Sequence, residues 1–350
     1  MSAPQFGGSR LRAYLQFLAA ILYFFLARSL AHRGAIGLVS EPWEPLVEQA
    51  MLVFLLVAGY AAMGTVFDRE LTPVSEQGLP ARPGWSREAG LGLAAGWGLA
   101  VACVVPAVVV GGIAIVLNVQ PAAWGWLVAD ACFFMLVALA EEVAFRGYGF
   151  QRFAQAMGPQ GAMVGYAAFY AIMQALVPGS SRASIAVSAA LSLVLSTAYL
   201  RTRALWVSWG MSFGWKAVRG LVFGLTIAGV GIHSPVVQGN PMGPFWLTGG
   251  GFGLDGSWVT FVIILAFWPV VYRITRDLDF RYNAPVIVPG GIAVDLEAAA
   301  RNQHDSVMAP AAPAGSTLVQ IQPLDSSPAP AADPEDGSAA QSSGRQPSGV

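Results

Sequence analysis

The sequence is short of charge. Only 11% of its 350 residues are charged and 55% are hydrophobic, whereas a typical soluble domain carries about 25% charged residues. Such a composition cannot cover a large folded domain with a water-facing surface, which excludes a large soluble enzyme. The net charge of -1 leaves no basic field to hold nucleic acid, so we expect no nucleic-acid partner.

Cysteine and lysine are also scarce. Cys103 and Cys132 lie in separate apolar stretches, and this arrangement gives neither a disulfide framework nor a paired metal motif. Core packing is the better interpretation of both thiols. Lysine occurs once, as Lys216, and it stands inside an apolar stretch rather than in a polar loop.

Long apolar runs, by contrast, are abundant. A bilayer core about 30 Å thick needs about 20 mostly apolar residues per helix. The sequence contains eight such runs. It therefore predicts an all-α, polytopic membrane bundle of about eight spanning helices. The predicted spans are 11–30, 46–67, 89–117, 122–148, 160–177, 184–200, 204–226 and 257–273.

The arginines predict how these spans are oriented. With the amino terminus inside, the cytoplasmic segments hold eleven arginines and the outer loops hold three, as the positive-inside rule favours. We therefore predict a multi-pass protein of the cell membrane, surrounded by the lipid bilayer, with both termini in the cytoplasm. The three outer arginines are Arg28, Arg33 and Arg182.

The chain divides into three predicted regions. Residues 1–74 form an amino-terminal membrane segment of two helices, and residues 75–273 form the main membrane domain. Residues 274–350 form a cytoplasmic tail that we expect to be disordered from about residue 283. Most of the tail is rich in Pro, Ala, Ser and Gly without apolar periodicity, so it cannot bury enough surface to offset the entropy lost on ordering.

Three acidic residues lie where charge is costly, in the predicted fourth span. They are Asp130, Glu141 and Glu142, and each needs a partner or a proton there. Asp130 and Glu141 lie roughly 16 Å apart along a helix, too far to act on one bond. Glu142 and Arg146 are spaced i,i+4 and are expected to form an ion pair. Glu141 points about 100 degrees away from them and is the freer carboxylate.

The predicted seventh span offers a partner for that carboxylate. Ser212, Lys216 and Arg219 share one helix face at offsets of four and seven. Counted from the cytoplasmic ends of their spans, Glu141 lies about 12 Å deep and Lys216 about 18 Å deep. We therefore expect the ammonium of Lys216 to pair with Glu141 or Glu142 inside the bundle.

The run Glu141-Glu142-Val143-Ala144-Phe145-Arg146 resembles the first motif of the CPBP family. These are intramembrane proteases related to CAAX prenyl proteases, lysostaphin-resistance proteins and bacteriocin-processing proteins. Residues 78–85, 199–206 and 247–253 are similar to further family segments, so the resemblance covers roughly 75–273. It implies a CAAX-protease-like helical core and intramembrane peptidase (hydrolase) activity.

The sequence departs from the family at the residues that assist the first glutamate. In the family a histidine in the next helix helps that glutamate activate water, and a later His-x-x-x-Asn pair supports the oxyanion or a metal. Met173 occupies the first position here, and Ser212 and Lys216 occupy the other two. A zinc site normally uses three or four ligands, and of the family set only Glu141 and Glu142 remain, so we expect no metal and no cofactor.

Three functions follow as hypotheses. The first is a catalytically degenerate pseudoprotease, a membrane scaffold or binding protein for a membrane-associated peptide or protein, in which Lys216 makes a glutamate a poor base. The second is an active intramembrane endopeptidase that uses Glu141, assisted by Gln174 or Lys216, or a Ser212/Lys216 dyad. Nearby carboxylates oppose the dyad because they keep the lysine charged.

The third is a transporter, in which the intramembrane charges line a substrate or proton path. Four glycines favour this hypothesis because they are able to break the end of the seventh span. These are Gly220, Gly224, Gly229 and Gly231.

Overall fold

The computed structural model describes residues 6–69, 73–79, 84–118, 120–228, 236–276, 278, 286–288 and 292–294. These residues confirm the predicted all-α membrane bundle. The helices are α1 (Phe6–Leu38), α2 (Glu44–Met63), α3 (Pro73–Glu76), α4 (Trp85–Val109), α5 (Pro121–Arg146), α6 (Tyr148–Met157), α7 (Pro159–Ala175), α8 (Arg182–Thr202), α9 (Trp206–Ala217), α10 (Phe245–Thr248) and α11 (Trp258–Ile274).

A helix lies at each of the predicted spans. Within the described residues, five helical segments are long and apolar enough to cross a membrane, and α11 is a shorter apolar helix. The other two predicted spans correspond to the shorter helices α7 and α9. The five long segments are Arg10–Leu38, Glu41–Asp68, Trp85–Val109, Ala123–Met157 and Arg182–Thr202.

The prediction of the third span, 89–117, was wrong at its end. Helix α4 stops at Val109, and Ile113–Leu117 forms strand β1. Gly111 takes a positive φ of 76°, which ends the helix at low cost, and the residues that follow are mostly β-branched, as strands favour. Strand β1 pairs antiparallel with β2 (Val237–Pro241), with Ile113 opposite Pro241.

The seventh span, predicted as 204–226, is also shorter than expected. The α-helical part ends at Ala217 and continues as a π-helical turn, Val218–Val222. The chain leaves the helix before Gly224, which has a φ of 61°. Turns of this kind are frequent at functional sites, and this one carries Arg219.

The carboxyl-terminal region lies mostly outside the described residues, and so does most of the predicted disordered segment. Two short strands are the exception, β3 (Val286–Val288) and β4 (Ile292–Val294), which pair antiparallel. These six residues lie within the segment predicted to be disordered from about residue 283, and that prediction stays a prediction for the rest of the tail.

Two hydrophobic cores flank the middle of the bundle. One is built mainly from α4, α8, α9 and α11, with Leu99, Met211 and Ile264 among its fully buried members. The other is built mainly from α1, α2, α5, α6 and α7, with Leu56 and Tyr166 at its centre. Helices α5 and α9, which carry the predicted site residues, therefore come from different cores.

The two cysteines differ in their surroundings. Cys103 is buried and belongs to the core around α4, as predicted. Cys132 is exposed on α5, so the prediction of core packing was wrong for this thiol. An apolar run does not distinguish the two positions, because the outer face of a membrane helix is as apolar as its inner face.

Glycines bring α4 and α9 into backbone contact. A Cβ added at Gly92 would lie 2.2 Å from the carbonyl oxygen of Val207, and one added at Gly96 would lie 2.1 Å from that of Met211. The contact is reciprocal, because a Cβ at Gly210 would lie 2.3 Å from the carbonyl oxygen of Ala89. Small residues four apart permit this close approach between membrane helices, and it fixes the position of α9.

Candidate functional site

The two neighbouring glutamates of α5 face different surroundings. The side chain of Glu142 is 0% exposed, and its Oε1 accepts a hydrogen bond of 2.7 Å from Nη1 of Arg146. Arg146 also donates to the backbone carbonyl of Ser192 on α8, at 3.3 Å. The predicted i,i+4 pair is therefore present, and it ties the end of α5 to α8.

Glu141 pairs across the bundle with the lysine of α9. Nζ of Lys216 lies 2.7 Å from Oε2 of Glu141, and it also donates to Oγ of Ser212 at 3.0 Å. The Tyr170 hydroxyl on α7 donates to the same Oε2 at 3.3 Å. The structure thus confirms that Lys216 holds one of the two glutamates while Arg146 holds the other.

This pair forms part of the wall of a cavity of about 550 Å³ between six helices, α1, α2, α5, α7, α8 and α9. Its walls are mainly apolar and aromatic. The cavity extends from Glu141 and Phe145 to the connection between α7 and α8, where Val177 and Pro178 line it. The side chain of Glu141 is 27% exposed and that of Lys216 is 7% exposed, so both groups are accessible from the cavity.

The remaining sequence-predicted residues divide between the cavity wall and the protein interior. Met173 and Gln174, on α7, line the cavity with Glu141 and Lys216. Ser212 is 0% exposed and is not among the residues that line the cavity. The structure therefore brings the family's histidine position, Met173, to the cavity but keeps the serine of the predicted dyad away from it.

A second ion pair lines the same cavity, and sequence reasoning missed it. Arg219 donates to Oδ1 of Asp255 at 2.8 Å, and its guanidinium lies 3.8 Å from the ring centre of Trp215. The backbone N–H of Ala228 donates to the other carboxylate oxygen at 3.2 Å. Asp255 lies in a glycine-rich segment rather than in a long helix, so helical periodicity gave no signal. The sequence shows only that Asp255 stands just before the last predicted span.

Further charged groups occupy the cavity wall on α1, α2 and α5. Asp130 is buried and lines the cavity together with Arg28 and Glu48. His32 Nδ1 lies 2.8 Å from Glu48 Oε2, and the histidine side chain is exposed. The other two histidines, at positions 233 and 304, lie outside the described residues.

The residues of the site do not fit a metal ion. Within the part of the chain that the structure describes, no group of three or more His, Cys, Asp or Glu side chains is placed to hold one. Oε2 of Glu141 accepts hydrogen bonds from an ammonium and a phenol, where a metal would have to displace a cation. The neighbouring Met173 offers only a thioether, which suits soft metals rather than zinc bound by carboxylates.

Comparison with known families agrees with the resemblance seen in the sequence. Residues 122–218 match the family model for Rce1-like proteins, described as type II CAAX prenyl endopeptidase Rce1-like. The match covers α5 to the first residue of the π turn and includes Glu141, Met173 and Lys216. Over these residues the chain is similar to the CAAX-protease family. Searches of curated proteins and of solved structures found no match.

Proposed function

We propose that this CAAX-protease-like protein is a catalytically degenerate pseudoprotease that acts as a membrane-embedded binding protein or scaffold. The observation that carries the proposal is the contact of 2.7 Å between Lys216 Nζ and Glu141 Oε2. It places a cation on the carboxylate that the family's chemistry requires as a base.

A general base must accept a proton from water within hydrogen-bond reach. The ammonium of Lys216 and the hydroxyl of Tyr170 both donate to Oε2 of Glu141. Such donors stabilise the ionised carboxylate and occupy one of its two oxygens. Met173, at the family's histidine position, cannot carry a proton between water and a leaving group.

The Ser212/Lys216 dyad is less well supported as a peptidase. A serine nucleophile has to touch the substrate, and Ser212 is 0% exposed and lies behind the cavity wall. Lys216 would have to be neutral to deprotonate the serine, but it pairs with Glu141. Gln174, the helper considered for a glutamate mechanism, lines the cavity, but its amide is neither acid nor base.

The cavity supports a binding role. Its volume of about 550 Å³ lies within the range of ligand pockets, which is about 300–1,000 Å³. Aromatic walls and two ion pairs offer an apolar surface with a few polar contacts, which suits a segment of a membrane-associated peptide or protein. A pseudoprotease that keeps this cavity retains binding without turnover.

Binding can be tested with the full-length protein in liposomes and a membrane-associated peptide that carries a photo-crosslinking group. We expect crosslinks to cavity residues such as Phe145 or Met173, with the peptide intact. Ala140→Trp, which places a large ring in the cavity wall, should reduce crosslinking several-fold. The matched control is Val164→Trp, on the exposed face of α7, which should leave crosslinking unchanged. Equal crosslinking in both variants would contradict the proposal.

We also propose that both termini lie in the cytoplasm. The proposal rests on the arginine distribution, and it places Arg152 and Arg203 inside. Reporter fusions after these residues should report cytoplasm, and fusions near Gln120 and Asn240 should report the outside. A cytoplasmic signal at Asn240 would contradict this topology.

A further inference from the structure

The one lysine of the chain is a primary amine on the wall of an apolar cavity. Lysine amines in apolar pockets form imines with carbonyl compounds. We propose that Lys216 forms an imine with an apolar aldehyde bound in this cavity, with Glu141 as the counter-ion of the protonated imine. The proposed function does not include this reaction, and the reaction does not depend on peptide cleavage.

The walls of the cavity fit the apolar part of such a ligand. Aromatic rings line it, among them Phe133, Phe134, Phe145 and Trp215, and they offer flat apolar surfaces to a hydrocarbon or polyene chain. The volume of about 550 Å³ leaves room for a chain of lipid-like length beside the amine. An apolar aldehyde also concentrates in the bilayer around the protein, since burying each CH₂ group stabilises it by about 0.8 kcal/mol.

The charges of the site suit a protonated imine. The amine of Lys216 and the carboxylate of Glu141 form one cation and one anion 2.7 Å apart. A protonated imine is also a cation, so the same ion pair exists before and after the reaction. Carboxylates that serve as counter-ions to bound cationic ligands are an established use of intramembrane charge. A Ser-Lys hydrolase differs, because it needs a neutral lysine as its resting base.

The atoms and protons balance within the site. Glu141 takes one proton from the ammonium of Lys216, and the neutral amine attacks the aldehyde carbon to form the C–N bond while the carbonyl π bond breaks. One proton then moves from the attacking nitrogen to the former carbonyl oxygen, which gives a neutral carbinolamine. Glu141 then returns the proton to the carbinol hydroxyl, which leaves as water as the C=N bond forms. The Tyr170 hydroxyl, 3.3 Å from Oε2 of Glu141, stabilises this carboxylate when it is ionised. The net reaction converts an ammonium and an aldehyde into a protonated imine and one water.

The test uses the purified full-length protein and all-trans-retinal as a chromophoric apolar aldehyde. Borohydride reduction converts an imine into a stable secondary amine, which adds the mass of the aldehyde less one oxygen atom. We expect this adduct on Lys216 by peptide mapping. Before reduction, the absorption maximum should lie at longer wavelength than that of the free aldehyde, and Glu141→Gln should move it. Retinol, which lacks the carbonyl, should give no adduct.

Two variants control for unspecific labelling. Lys216→Arg keeps a cation at the ion pair but removes the amine, and it should lose the adduct. Arg87→Lys adds an exposed amine at the start of α4, as an internal reference in the same molecule. Lys216 should be labelled at least about tenfold more than position 87, the ratio that 1.4 kcal/mol gives. Equal labelling of the two positions, or no adduct on Lys216 in the folded wild-type protein, would overturn the proposal.

Discussion

The two ion pairs that begin on adjacent residues of α5 differ in what surrounds them. Glu142 and Arg146 pair within one helix, with side chains 0% and 4% exposed. Glu141 and Lys216 pair between two helices, and the carboxylate is 27% exposed on the wall of a cavity. The first pair is enclosed by protein and the second faces open space.

Under the proposed function, the enclosed pair has a structural role and the pair on the cavity wall has a functional one. An enclosed pair offers no room for a ligand, and the hydrogen bond from Arg146 to Ser192 shows that it joins helices. The pair on the cavity wall can meet a ligand, and Lys216 decides what its carboxylate does there. The proposal therefore gives the two neighbouring glutamates of the motif different roles.

The largest expected effect is on the enclosed pair. Arg146→Met would leave Glu142 buried without its cation, and removing one partner of a buried pair costs about 3–5 kcal/mol. We expect a large drop in the unfolding midpoint measured in detergent. Arg146→Met combined with Glu142→Gln should recover much of the loss. If the single variant unfolds like the wild type, the enclosed pair is not structural.

Lys216→Met should destabilise the protein less than Arg146→Met does, because water in the cavity is able to hydrate the carboxylate of Glu141. Glu141 faces the cavity and keeps its hydrogen bond from Tyr170, so the loss is that of a charged hydrogen bond, about 1.5–3 kcal/mol. The same unfolding assay, run beside Arg146→Met, checks the order of the two variants. A larger drop in the unfolding midpoint for Lys216→Met than for Arg146→Met would contradict this distinction between the two pairs.

The position of α9 can be tested at its glycine contact with α4. A Cβ at Gly96 would meet the carbonyl oxygen of Met211 at 2.1 Å, whereas one at Gly98 would meet nothing within 4 Å. Gly96→Ala should destabilise by about 1–3 kcal/mol through overpacking. Gly98→Ala is the matched control and should be neutral or slightly stabilising. Equal unfolding midpoints for the two variants would show that this contact does not fix α9.

Ser212→Ala should have the smallest effect. The hydroxyl accepts one hydrogen bond from Lys216, and the ammonium keeps its stronger bond to Glu141, so we expect a loss of about 1 kcal/mol or less. Ligand crosslinking should be unchanged. A strong loss of function with an intact fold would instead favour the Ser212/Lys216 dyad.

The sequence predicted the parts of the site that local spacing determines. The i,i+4 spacing gave the pair of Glu142 and Arg146, and depth along two helices gave the pair of Glu141 and Lys216. Small residues four apart, at Gly92 and Gly96 on α4, carried a signal for the α4–α9 contact, but the prediction did not use it.

The rest depends on tertiary structure. The cavity arises because six helices pack around an open space. No single segment of the sequence is sufficient to predict it, because it depends on how all six helices pack together. The partner of Arg219 is Asp255, which is distant in sequence and lies outside any long helix. Strand β1 was read as the end of a span because β-branched apolar residues suit both a strand and a membrane helix.

The central claim is that Lys216 keeps Glu141 from acting as the base that activates water for peptide cleavage. Its most direct test is a cleavage time course with a membrane-associated fluorogenic peptide, comparing the wild-type protein with Glu141→Gln in the same liposomes. The account predicts equal rates at the background level of protein-free liposomes. Wild-type cleavage above that background, lost in Glu141→Gln, would contradict it and restore the glutamate mechanism of the family.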